Sequence, residues 1–186
     1  MLVLASSSPR RREILQQAGI PFTIRAGSVD ETPFPSELPR DYVSRIARAK
    51  VSATEVGPEE IVLGADTTVV INGEILAKPC DTADAVRMLT LLSGQRHVVL
   101  TGVCLRGAGG WVEDVAETSV WFVALTSAQI EEYVASGEPM DKAGAYGIQG
   151  LASKFVERID GCYFNVMGLP VAMVYRYWRT LQEGAV

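Results

Sequence analysis

Three stretches of this 186-residue chain combine residue types suited to phosphate chemistry. The first is Ser6-Ser7-Ser8-Pro9-Arg10-Arg11-Arg12, which sets serines in a tight turn and three arginines in the first turn of an expected helix. A helix N-terminus carries unpaired N–H groups and partial positive charge, so cations there are locally unfavourable unless an anion joins them. Guanidinium groups bind phosphate oxygens two at a time and the serine hydroxyls add donors, so these parts suit an anion pocket. The segment lacks the Walker lysine pattern and is no ordinary P-loop. A capped surface helix with solvated arginines is the competing reading.

The second stretch is Gly64-Ala65-Asp66-Thr67-Thr68, with Asp66 expected where the apolar strand Ile61–Ala65 ends. A carboxylate at a strand end is well placed to hold Mg²⁺, which takes one or two carboxylates together with waters and phosphate oxygens. Asp30-Glu31 offers a second carboxylate for the same ion, and Lys50 and Lys78 could each neutralise phosphate charge. Taken singly, Asp66 also fits a turn aspartate, and the lysines also fit a solvated surface. The third stretch, Asp141 to Gly150, spaces glycines so that backbone can approach a ligand. Tyr146 offers a ring for stacking there, and Gln149 offers a donor and an acceptor suited to a base edge. A flexible surface loop is the alternative.

Absences narrow the reaction. The one histidine, His97, lies in a strand-like run and reads as structural, which disfavours Ser-His-Asp and Cys-His catalysis. Cys80, Cys104 and Cys162 have neither CxxC spacing nor an even count, so a disulfide framework or zinc site is not expected. Formal net charge is -5, which argues against nucleic acid as a partner. The apolar start precedes its arginines, the reverse of a secretory signal, and no later run approaches membrane-spanning length, so a cytoplasmic protein without membrane contact is expected. Arginines, lysines and carboxylates remain, a set suited to metal-assisted hydrolysis of a phosphate ester or anhydride.

The elements that must position these groups alternate between strand and helix. Strand signals cover Leu2–Ala5, Phe22–Ala26, Ile61–Ala65, Thr68–Ile71 and Glu74–Leu76, the last two joined by a hairpin-favouring Asn72-Gly73. About His97–Leu105 and Trp111–Ala124 should pair antiparallel. Phe155–Ile159 and Tyr163–Val166 read as a further hairpin about Asp160-Gly161. Helices are expected up to Gly19, over Tyr42–Thr54, from a Thr82 cap to Ser93, from a Thr126/Gln129 capping box to Ser136, and from Pro170 to near Gln182. Thr32–Pro39 and Gly137–Gly150 are expected loops, the latter long enough to be functional. The result is an α/β fold with a mixed, twisted sheet and flanking helices, one domain over residues 1–186 with two lobes around a central cleft.

Together LASSSPRR, GADT, AKP, DKAGAYGIQG and GCYFNVMGLP, in order from Leu4 to about Pro170, resemble the Maf family of nucleoside triphosphate pyrophosphatases. The resemblance implies a fold similar to the inosine triphosphatase group, a divalent cation (Mg²⁺, with Mn²⁺ or Co²⁺ as substitutes) and a homodimer. It places phosphate binding on Ser6, Arg10 and Arg11, proton acceptance and metal binding on Asp66, and charged partners on Lys50, Lys78 and Glu31. The branch acting on dTTP and UTP matches here in having Thr67 after the aspartate and in the DKAGAYGIQG run. Thr67, Gln149 and the arginine pair are then selectivity positions. The activity implied is cleavage of a nucleoside triphosphate to monophosphate and pyrophosphate, with removal of non-standard pyrimidine nucleotides as its purpose.

Two rival readings share the same basic pocket. A non-catalytic nucleotide-binding regulator of cell division gains nothing from a carboxylate beside phosphates, so Asp66 favours the enzyme. A sugar-nucleotide binding module would discriminate weakly between triphosphates and diphosphate sugars.

Overall fold

The apolar start forms β1, Leu2–Leu4, with every side chain buried. In the computed structural model, which describes residues 1–184, the chain then continues as α1 (Pro9–Gln17), β2 (Phe22–Ile24), α2 (Pro39–Ser52), β3 (Ile61–Ile71), β4 (Glu74–Leu76) and α3 (Thr82–Leu92). There follow β5 (Arg96–Gly107), β6 (Gly110–Phe122), α4 (Ser127–Ala135), three short 3-10 turns between Glu138 and Phe155, β7 (Val156–Asp160), α5 (Tyr163–Met167) and α6 (Val171–Gln182). The strands make one seven-stranded sheet in the order β2-β1-β3-β5-β6-β7, with β4 also on β3. β1 runs parallel to β2 and β3, whereas β4 and β7 run antiparallel to β3 and β6. The expected mixed sheet is therefore present.

By contacts the chain divides into two compact units, one of residues 1–67, 101–116 and 168–186, the other of 68–100 and 117–167. In the first unit, Val3, Ala5, Ala47, Val51, Val62 and Cys104 form a buried cluster that joins α2 to the sheet, with Val56 and Trp111 packed against it. Two glycines let α2 lie directly on the strands. A Cβ on Gly64 would stand 2.3 Å from the Ala47 carbonyl oxygen, and one on Gly102 would stand 2.2 Å from that of Val43. Neither contact is tolerable for a real side chain, so both strands present bare backbone to the helix.

In the second unit, His97, Phe122, Tyr146, Phe155 and Tyr133 form a cluster of mostly edge-to-face ring pairs. Here the structure departs from expectation. The segment from Gly137 to Gly150 is not an open loop: Gly144, Ala145, Tyr146 and Ile148 are buried, and Glu138 accepts from both Tyr133 Oη and the Leu151 N–H. Burial of its apolar residues outweighs its glycine content. Tyr146 is accordingly not a stacking platform for a ligand, because its ring packs on Phe122 and its hydroxyl meets His97 Nε2 at 2.8 Å.

Other boundaries move for local reasons. Tyr163–Val166 is not the second arm of a hairpin. β7 pairs with β6, and the backbone N–H groups of Asn165 and Val166 donate to the Cys162 carbonyl, closing a helical turn. Burial of Asn165, whose Nδ2 donates to the Val99 carbonyl and to Thr118 Oγ1, holds that turn in place. The cap of α3 is Asp81 rather than Thr82, with its carboxylate accepting from the Asp84 N–H at 2.8 Å. α2 begins at Pro39 because proline suits a first helical position. The Thr126/Gln129 capping box and the hairpin turn at Asn72-Gly73 form as expected. No helix among the described residues is long and apolar enough to cross a membrane.

Candidate active site

β3 places two consecutive residues of the first unit in different networks, Asp66 toward α2 and Thr67 toward α1. Asp66 does not end a strand: β3 pairs with β1 at Ile61–Leu63 and with β4 at Val69–Ile71, so the ladder brackets it. A buried carboxylate is tolerated there because its charge is met. Lys50, near the end of α2, donates from Nζ to Asp66 Oδ1 at 2.7 Å, and it pairs with Glu31 Oε1 at the same distance. A third, longer contact of 3.4 Å reaches the Ala65 carbonyl. Lys50 and Asp66 are largely shielded from solvent, whereas the Glu31 side chain is about half open. The two carboxylates also act on the buried phenol of Tyr42, whose pKa is pushed up to about 12 by burial first and then by the charges of Asp66 and Glu31.

On the other side of the same strand position, the turn Ser6–Ser8 leads into α1. Proline at the first helical position presets the turn, and the first turn of the helix holds no acidic residue. Arg11 is buried, and its guanidinium is held at three points. Nε donates to the Gly168 carbonyl at 2.9 Å, Nη1 to Ser6 Oγ at 3.0 Å and Nη2 to Thr67 Oγ1 at 3.2 Å. All three acceptors are uncharged. Burial lowers the Arg11 pKa, and neighbouring Arg10 lowers it further, while Asp66 and Glu31 act in the opposite direction. A guanidinium has five N–H donors, and these three bonds use one on each nitrogen. A buried cation bonded only to neutral groups is costly, and an arriving phosphate relieves that cost.

The sequence expectations divide accordingly. The structure brings Ser6, Arg11 and Thr67 together, and separately gathers Lys50, Asp66 and Glu31. Arg10, next to Arg11 within α1, is half-buried. Lys78 and Gln149 belong to the second unit, where both are exposed.

Two contributors lie outside the set read from sequence. Thr101, on β5, shares a hydroxyl contact of 2.9 Å with Thr67, and nothing in its strand-like neighbourhood signals that role. Gly168, at φ 115°, turns its carbonyl onto Arg11 and also receives the Thr67 hydroxyl at 3.3 Å. The Gly-Leu-Pro run that contains it carried a signal, but not of this kind.

Among the described residues no group of three or more histidines, cysteines or acids is gathered as a metal site. Two carboxylates converging on one ammonium do suit a hard cation that completes its shell with water and substrate oxygens.

A family model described as "Maf-like protein" matches residues 1–181. A protein of Anaeromyxobacter dehalogenans (strain 2CP-C) is 53% identical over 175 residues, covering 92% of this chain and 89% of the relative. One of Sphingopyxis alaskensis is 54% identical over 172 residues, covering 91% and 90%, and one of Koribacter versatilis is 47% identical over 179 residues, covering 96% and 93%. All three are named dTTP/UTP pyrophosphatase. Among solved structures, the Staphylococcus aureus Ham1 protein aligns with 65% of this chain and 71% of its own at 15% identity and a TM-score of 0.48. With nearly its whole length matched and about half its positions shared with these relatives, this chain belongs to the Maf family.

Proposed function

We propose that this chain is a nucleoside triphosphate pyrophosphatase that hydrolyses dTTP and UTP, and modified pyrimidine nucleotides, to the monophosphate and pyrophosphate. The observation that carries the reading is the pairing on β3 of a carboxylate centre at Asp66 with a buried guanidinium held through Thr67. One part suits metal and water, the other suits a phosphate, and consecutive residues link them. The names of the three relatives support the choice of dTTP and UTP.

In this reading Ser6, Arg10 and Arg11 bind the phosphate chain, with Arg11 oriented in advance by Gly168 and Thr67. Such donors need no reorganisation as charge builds on the leaving pyrophosphate, which is where electrostatic catalysis is strongest. Asp66 accepts the proton of the attacking water, and Lys50 pairs with its Oδ1 at 2.7 Å and fixes where that carboxylate lies. Asp66 and Glu31 would hold a divalent cation, with Mg²⁺ first and Mn²⁺ or Co²⁺ as substitutes. When bound, it supplies Lewis-acid polarisation of phosphate oxygens. Lys78 neutralises phosphate charge, and Gln149 reads the base edge with the donor and acceptor of its amide. The working form would be a cytoplasmic homodimer that clears non-standard pyrimidine nucleotides.

The test is turnover of a panel of nucleoside triphosphates with Mg²⁺ by wild type and Asp66→Asn. Fastest pyrophosphate release from dTTP and UTP, with the variant slower by about 10²–10³ while folded, is expected. Near-wild-type turnover by the folded variant overturns the assignment.

A further inference from the structure

Glu31 has no regular structure of its own. It sits in residues 25–38, a loop without strand or helix apart from a turn at Pro35-Ser36, yet it meets Lys50 at 2.7 Å. A side chain on such a loop loses its place unless the backbone is tied down. Two side chains of α2 supply the ties. Tyr42 donates its hydroxyl to the carbonyl of Glu31 itself at 2.9 Å.

Arg45, one turn later, grips Glu37 with two parallel bonds, Nε to Oε1 at 2.6 Å and Nη2 to Oε2 at 2.7 Å. The same Nη2 donates to the Thr32 carbonyl at 3.1 Å, next to Glu31, and the guanidinium lies 3.9 Å from the centre of the Phe34 ring. Glu37 in turn accepts from the Phe34 N–H at 3.0 Å. Tyr42, Arg45 and Lys50 thus project from one helix that is itself seated on the backbone of Gly64 and Gly102.

We infer that Arg45 and Tyr42 are positioning residues that hold Glu31 beside Asp66 so that the two carboxylates act on one cation. Neither touches substrate or metal. The inference rests on the proposed reading of Glu31 as a metal carboxylate. A bidentate guanidinium–carboxylate pair fixes direction as well as distance, which a lysine in its place does not. Groups that orient a metal's ligands typically change its affinity by about 10–100-fold when removed.

The experiment measures Mn²⁺ affinity by electron paramagnetic resonance in the presence of a non-hydrolysable α,β-methylene analogue of dTTP. Wild type, Glu31→Gln, Arg45→Ala, Arg45→Lys, Tyr42→Phe and the doubles with Glu31→Gln are compared, with unfolding followed in parallel. The expected result is about tenfold weaker Mn²⁺ binding in Glu31→Gln, Arg45→Ala and Tyr42→Phe, partial recovery in Arg45→Lys, and less than about twofold further loss in the doubles.

A purely structural role would shift the melting temperature of both backgrounds and leave Mn²⁺ affinity alone. Weakened binding in Glu31→Gln but wild-type binding in Arg45→Ala and Tyr42→Phe overturns the positioning role. Wild-type binding in Glu31→Gln overturns the metal reading of Glu31 and this inference with it. If Arg45→Ala does not fold, the nearly isosteric Tyr42→Phe decides the matter.

Discussion

Lys50 and Asp66 stand 16 residues apart in the chain, on a helix and a strand, and meet at 2.7 Å. Their meeting depends on how closely α2 lies on the sheet, which Gly64 and Gly102 set. Alanine at either position forces α2 outward, and overpacking of this kind costs about 1–3 kcal/mol. Gly64→Ala should cost turnover as well as stability, since the displaced segment leads to Lys50. Urea unfolding together with kcat for dTTP checks both. Full activity in a destabilised Gly64→Ala would show that helix position does not set the site.

The guanidinium of Arg11 is held at three points. Arg11→Lys keeps the charge but loses the fork that engages Gly168, Ser6 and Thr67, so kcat/KM for dTTP should fall by about 10²–10³. Steady-state kinetics on the folded variant makes the check, and wild-type kcat/KM would mean that the hydrogen bonds made by Arg11 do not matter for catalysis.

Thr101→Val removes one hydroxyl of the Thr67–Thr101 pair with little change in shape. Thr67 then retains Arg11 and Gly168 as partners, and the change should lower kcat/KM by less than Arg11→Lys while costing only about 1 kcal/mol of stability. The check is kinetics beside thermal unfolding of the same preparation.

His97 gives the acid limb of the stability curve a distinct contribution. Burial lowers its pKa from 6.5 to about 4, so the folded protein keeps it neutral where the unfolded chain would protonate it. The unfolded state therefore binds more protons between these values, and the stability His97 contributes is present above pH 6.5 and lost as pH falls toward 4. The difference is on the order of 3 kcal/mol across that window. Urea midpoints from pH 7 to 4 should fall more steeply for wild type than for His97→Gln; parallel curves would contradict this account of the acid limb.

Base selection is assigned to Gln149, exposed at the end of the packed segment of the second unit. Gln149→Ala should change the ratio of UTP to CTP turnover with little effect on unfolding. Competition between the two substrates in one reaction measures that ratio directly, and an unchanged ratio removes Gln149 from the reading.

Much of the framework was legible where the signal is local. The Thr126/Gln129 capping box, the Asn72-Gly73 turn and the proline before α6 each specify backbone within a few residues, and each formed as read. The Ser-Pro-Arg segment and Asp66 also stood out, because cations at a helix start conflict with local preference and a carboxylate expected at the end of an apolar strand is placed to hold a cation. What escaped is long-range. The Gly168 carbonyl meets Arg11 across 157 residues, and a backbone oxygen leaves no mark in residue type. Thr101 reads as any strand threonine, and Tyr163–Val166 reads as strand until the buried Asn165 amide requires a helical turn. The anchoring of Glu31 by Tyr42 and Arg45 was invisible because it depends on a loop folding back onto its own following helix.

The central claim is attack of water on the α phosphorus of dTTP, and the most direct measurement is hydrolysis with Mg²⁺ in ¹⁸O-labelled water followed by mass spectrometry of the products. The account predicts dTMP carrying the label and unlabelled pyrophosphate. Label in the pyrophosphate, or thymidine diphosphate with inorganic phosphate as products, would contradict it.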